Sequence, residues 1–295
     1  MRRPIFPHSR RATERLYHDP ISPPTRDGHI LTSFRNELSY VRHFFPVTTA
    51  MDFAHKLTHV QQHNNSWIGL RLDIRHDQLP LPLLSSDEPL RPFAQALIDA
   101  TRDLVCAYIL DPAYFFAEGA AGAIALERIV RYIPETVPVI LDTRFGTLTT
   151  SAPAYARAAF EAFNADACTF SHVPDRGEQQ AFLAYTGKAI FVPLLGLLTL
   201  HPNMAGNGLI VEAKELSHLQ LSAISTPLLI TQWTPAEEAA AAKVIGTNGI
   251  NPIIDLGAAL IYTSRGADFA EVASATVRKA RARINAYRPT ALAAL

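Results

Sequence analysis

The feature that most constrains this chain is a series of eight short apolar runs, spaced from residue 51 onward between amphipathic segments. The runs cover 67–73, 107–114, 137–142, 165–170, 189–194, 208–213, 227–231 and 252–255. Apolar stretches of that length, bounded by polar turns, read as strands buried on both faces. The segments between them, near 91–105, 120–132, 152–163, 176–185, 214–222, 235–245 and 267–287, carry helical periodicity. Strictly alternating strands and helices pair in parallel through right-handed crossovers, and eight such units in about 240 residues predict a closed (β/α)8 TIM barrel. The link 195–207 is too short and too rich in Pro and Gly for a full helix, so a doubly wound open sheet is the alternative. No G-x-G-x-x-G follows the first run, which leaves a dinucleotide fold without direct support.

Ahead of the barrel, residues 1–46 differ in kind. Arg2, Arg3, Arg10, Arg11, Arg15, Arg26, Arg35 and Arg42 alternate with Pro4, Pro7, Pro20, Pro23 and Pro24. Prolines at that density exclude a regular helix or central strand, so the segment is expected to be an arm, either solvated or laid on a surface. Two units follow: an Arg/Pro-rich arm over 1–46 and a barrel over 47–295. The acidic residues Glu14, Asp19 and Asp27 argue against an organellar transit peptide.

Composition removes several function classes. The formal charge is zero, giving no global pull toward nucleic acid or an anionic membrane. No apolar run approaches the roughly 20 residues that span a bilayer. Cys106 and Cys168 each lie inside an apolar run. They read as buried thiols rather than a disulfide or metal pair, which favours a reducing cytoplasm. No cofactor or metal is expected.

Chemistry in such a barrel sits at strand C-terminal ends and the loops after them. Those positions are Asp73, Asp111, Asp142 with Arg144 and Thr147, Ser171 with His172, the turn Thr231-Gln232-Trp233, and Asp255 to Ala258. Carboxylates on two strand ends suit acid/base or hydrogen-bonding work, and equally suit helix caps. Asp142 and Arg144, two apart on one strand, point to the same side and can neutralise each other as an ion pair.

At these residues the chain resembles the orotidine 5'-monophosphate decarboxylases, specifically their longer bacterial subgroup. The resemblance runs from about 51 to 287. It is carried by Phe115-Phe116, Gly119-Ala120-Ala121-Gly122, Leu126-Glu127-Arg128, Leu141-Asp142, Ala154-Tyr155-Ala156, Ala165-Asp166-Ala167 and the string Ile261 to Phe269. It implies a third-strand motif in which a lysine between carboxylates protonates the carbanion left by carbon dioxide. Here those positions read Asp142, Arg144, Thr147 and Ser151. Arginine is a poor substitute for that acid, since its guanidinium titrates above about 12.5 against roughly 10.4 for lysine. The second-strand lysine is absent from Tyr108 to Pro112, while Asp73 on the first strand is kept. His172-Val173 stands where Pro-Tyr is expected, and the apolar Leu194 to Leu198 replaces a Ser-Asn loop. The phosphate-gripping glycines and arginine are replaced by Thr231 to Pro235 and by Ala258, with Gln232 as a remnant and Arg265 too distant to substitute.

The resemblance therefore implies a barrel without its reaction, kept as a binding or assembly component, and it weakens the case for a nucleotide ligand. Two alternatives stay open: an enzyme of changed chemistry using Asp73, Asp142, Arg144, His172 and Asp255, or residual orotidylate decarboxylase activity. It further implies a homodimer or hetero-assembly through the barrel mouth, using 145–151, 194–200 and the arm. Alternatively the apolar loop folds inward and plugs the old pocket, in which case Leu195, Leu197 and Trp233 fill the mouth and support the reading of a barrel without its reaction; an open polar pocket accommodating a phosphate counts against it.

Overall fold

The computed structural model describes residues 52–194, 207–218, 226–234, 236–238 and 251–287. The proposed arm, Leu195, Leu197 and most of 235–245 lie outside them. Eight parallel strands form a closed barrel in chain order: β1 Ile68–Arg71, β2 Ala107–Leu110, β3 Val139–Phe145, β4 Ala167–Phe170, β5 Ala189–Pro193, β6 Asn207–Glu212, β7 Leu228–Thr231 and β8 Pro252–Asp255. β8 closes against β1, with Ile68 opposite Ile254.

Helices α1 Phe53–His63, α2 Leu90–Thr101, α3 Pro112–Phe116, α4 Gly119–Tyr132, α5 Ala152–Arg157, α6 Arg176–Leu183 and α7 Phe269–Asn285 surround the strands. Their starts are chemically marked. Asp52 accepts from His55 N at the head of α1. Asp175 and Glu178 form a reciprocal capping box on α6. α5 continues into a π-helical turn over Ala158–Ala162.

Three expected elements are corrected. The second strand ends at Leu110 instead of running to Tyr114, because Asp111 caps α3 through Ala113 N and Pro112 occupies its first position. The third strand runs past Asp142 to Phe145, which puts Arg144 within it. The described part of 214–222 belongs to a 3₁₀ segment, Ala213–His218, in place of a regular helix.

Interior packing fixes which strand residues face the axis. Arg71 is level with Ile109, Ile109 with Ile140, and Ile140 with Ala167. Since side chains alternate along a strand, Asp73, Asp111, Asp142 and Thr169 share that inward face. The lower interior is filled by large side chains set against glycines. A Cβ on Gly208 would lie 2.3 Å from the Phe191 ring, and one on Gly69 would lie 2.7 Å from Ile253. Phe53 closes the floor, its ring edge-on to Phe191 at 5.5 Å. With the lower barrel filled by apolar groups, the polar inward residues are left at the C-terminal end.

Candidate functional site at the barrel mouth

The centre of the mouth is Arg71, a residue that strand periodicity alone does not single out. Its guanidinium reaches three carboxylates on three strands or strand ends: Asp255 Oδ2 at 2.6 Å, Asp142 Oδ2 at 2.8 Å and Asp73 Oδ2 at 3.1 Å. Burial disfavours its charge, but Asp255, then Asp73 and Asp142, outweigh that and raise its pKa above the ordinary value. The guanidinium is thus fixed as a cation and committed to protein carboxylates.

The carboxylates respond differently. Burial pushes Asp73 up to about 6, against the opposing pull of Arg71 and of the hydrogen bond from Asp111 N. Asp142 is equally buried, yet Arg71 and the hydrogen bond from Arg144 hold it below the usual carboxylate range. Arg144 donates from Nε and Nη2 to Asp142, with Nη2 to Oδ2 at 3.1 Å. The ion pair readable from their spacing is therefore formed.

Thr169 on β4 organises this pair. Its hydroxyl donates to Asp142 Oδ1 at 2.8 Å and accepts from Arg144 N at 2.9 Å. Arg144 has a left-handed backbone, φ 43°, where the β3–β4 register shifts between Leu141 and Phe145. A β-bulge of this kind re-aims a side chain next to a site, and here it turns the Arg144 side chain back onto Asp142.

Above these groups lies a cavity of about 500 Å³ whose lining includes Arg71, Asp73, Asp111, Tyr114, Arg144, Gln232, Trp233, Asp255 and Ala258. Among the described residues, two guanidinium groups, Arg71 and Arg144, face the carboxylates of Asp73, Asp111, Asp142 and Asp255, leaving formal negative charge in excess. Gln232, at φ 54°, donates to Glu212 Oε1 at 2.9 Å. Tyr262 donates to the Asp73 carbonyl at 2.8 Å and so secures the end of the first strand. Arg265 donates to the carbonyls of Asp77 and Leu79, and that ties the loop after β1 to the segment before α7.

Thr147, Ser151 and His172 do not line this cavity. Thr147 is exposed, and Ser151 Oγ donates to the Leu148 carbonyl at 2.6 Å. Buried Glu178 clamps their loop by accepting from Leu148 N at 2.5 Å and Thr149 N at 3.3 Å. His172 Nε2 stands 3.4 Å from the other oxygen of Glu178. His172 thus belongs to a loop clamp, apart from the group of Asp73, Asp142, Arg144 and Asp255.

No protein-family model matches the chain. Curated relatives do. Orotidine 5'-phosphate decarboxylase of Roseiflexus sp. (strain RS-1) is 38% identical over 142 residues, which is 48% of this chain and 52% of that one. The orotidine 5'-phosphate decarboxylase of Ralstonia nicotianae (strain ATCC BAA-1114 / GMI1000) is 30% identical over 273 residues, spanning 81% of this chain and 100% of the relative. The chain belongs to the orotidine 5'-phosphate decarboxylase family. In fold it is similar to the solved OMP decarboxylase of Leishmania donovani, with a TM-score of 0.61 at 23% identity over 81% of this chain and 99% of that one.

For a member of the orotidine 5'-phosphate decarboxylase family, the mouth combines positions visible in the sequence with others that were not. Asp73, Asp142, Arg144 and Gln232 were legible as strand-end polar groups. Arg71 and Thr169 were missed. The available signal was a charged or hydroxyl side chain inside an otherwise apolar strand, in phase with a strand-end aspartate. Among the described residues no cluster of three or more His, Cys, Asp or Glu is placed to hold a metal ion, and no helix is long and apolar enough to cross a membrane.

Proposed function

We propose that this chain is a non-catalytic member of the orotidine 5'-phosphate decarboxylase family, a cytoplasmic barrel acting as a binding or assembly component. The observation that carries the reading is the Arg71 network. The central cation of the mouth is shared among Asp73, Asp142 and Asp255, so most of its hydrogen-bonding capacity is already taken. A substrate bearing both a carboxylate and a phosphate would enter a mouth with excess negative charge, where like charges repel strongly at low dielectric.

Proton donation fails separately. Arg144 stands at the position the resemblance assigns to the lysine acid, and its hydrogen bond to Asp142 raises its pKa further. A group that stays protonated in this way does not deliver a proton to a carbanion near neutral pH. Trp233 is buried beside the cavity, consistent with a partly filled mouth. Assembly, as a homodimer or with another chain, is expected through the mouth-side surface around 145–151.

A second reading rests on one specific observation. Asp73, pushed up to about 6 in a concave site, is poised for acid/base work near neutral pH. It supports an enzyme of changed chemistry, or residual orotidylate decarboxylase activity. The test is to mix the purified full-length chain with orotidine 5'-monophosphate and with uridine 5'-monophosphate, following carbon dioxide release and heat of binding. The expected result is neither turnover nor binding. Turnover by the native chain overturns the reading, and turnover restored by Arg144→Lys with Thr147→Asp would reveal a site only two substitutions from activity.

A further inference from the structure

At the opposite end of the barrel, two lysines meet one carboxylate. Asp166 immediately precedes β4, Lys188 immediately precedes β5, and Lys56 comes from α1. Lys56 Nζ lies 2.7 Å from Asp166 Oδ2, and that same oxygen accepts from Val139 N at 2.9 Å. Lys188 Nζ stands 3.7 Å from the other oxygen, beyond hydrogen-bond distance. Asp166 is therefore chiefly the counter-ion of Lys56, and the cluster carries one uncompensated positive charge.

Lys188 retains 22% of its side-chain exposure, against 12% for Lys56. Its amine is reachable from solvent yet partly desolvated. Burial, and secondarily the charge of Lys56, lower its pKa from the ordinary lysine value despite Asp166. Lys214 is in the reverse situation: its bond to Glu212 raises its pKa at an exposed site. Lys279 lies on α7 in a shallow surface depression.

We propose that Lys188 is a selective acyl-acceptor site for acyl phosphates, separate from the barrel mouth. The neutral amine attacks the acyl carbon, the new C–N bond forms, the C–O bond to phosphate breaks, and phosphate leaves with the bonding pair. The nitrogen's surplus proton passes to water, giving an amide and inorganic phosphate with no change of oxidation state. The net positive charge of the Lys56–Asp166–Lys188 cluster attracts the anionic donor. Acylation then removes the second ammonium and leaves Lys56 and Asp166 as a simple pair, so the floor of the barrel tolerates the product.

The experiment treats the full-length chain with acetyl phosphate at pH 7.5 and measures initial acetylation at each lysine by peptide mass spectrometry. Lys188 is expected to react several-fold faster than Lys279, because burial and the neighbouring Lys56 charge favour its neutral amine. The same reaction in concentrated urea should level the two. Equal rates in the native chain overturn the proposal, as does a preference that survives unfolding, since that would come from local sequence and not from the cluster. Asp166→Asn supplies an independent readout: with the carboxylate gone and Lys56 still charged, Lys188 should react faster still. A folded Asp166→Asn chain in which Lys188 reacts more slowly would also overturn it.

Discussion

Arg71 shows how much one side chain determines at this mouth. It bonds three carboxylates that would otherwise repel one another within the barrel. Removing one partner of a buried ion pair costs about 3–5 kcal/mol, so Arg71→Met should lower the unfolding free energy by at least that much in urea titrations. A loss below about 1 kcal/mol would mean the carboxylates are solvated without it. Asp73 gives the pH dependence. Its folded pKa, about 6, lies above its ordinary value of 3.8, so the folded chain holds an extra proton between those values. Stability should therefore fall as pH rises from about 4 to about 6, by up to about 3 kcal/mol, and level off above that. Asp142, held low, acts in the opposite sense and only below about pH 4, where its protonation removes stability. Comparing urea midpoints at pH 5 and 7.5 checks the sign, and Asp73→Asn should flatten the difference. The sequence announced Asp73 and Asp142 because strand-end carboxylates stand out against apolar runs. Arg71 was hidden because its partner Asp255 is 184 residues away and becomes a neighbour only when β8 closes on β1.

Among the elements, the strands were legible and their ends were not. An apolar run gives no internal mark of where pairing stops, so the second strand was extended into Pro112–Phe116. The Asp-Pro pair that starts α3 was the available signal. The long reach of β3 to Phe145 was equally invisible, since it depends on the register shift against β4. Packing inside the sheet was also beyond periodicity: Gly208 is needed because the Phe191 ring occupies its side-chain space. Gly208→Ala should cost about 1–3 kcal/mol through overpacking. Combined with Phe191→Leu, that penalty should shrink, giving a favourable coupling of about 1–2 kcal/mol in a double-mutant cycle of denaturation free energies. Strict additivity would show that the ring moves aside freely.

For the whole molecule, the alternation of apolar and amphipathic runs was enough to predict barrel closure, because eight right-handed units have few other ways to bury both faces of their strands. Assembly was only implied. Tyr114, Phe116 and Tyr155 are exposed aromatic residues on α3 and α5, elements that follow the mouth ends of β2 and β3. If that side is the assembly surface, Phe116→Arg should shift native mass spectra from dimer toward monomer, while an unchanged distribution would place the interface elsewhere. The mutual pairing of Arg71, Asp73, Asp142 and Asp255 also bears on how this barrel can vary. Replacing Arg71 alone leaves three buried carboxylates without their shared cation, so a single step at that position passes through a weakened chain. Loss of Arg71 is therefore easiest to tolerate where the neighbouring carboxylates change with it, which ties the chemistry of three strand ends to one guanidinium.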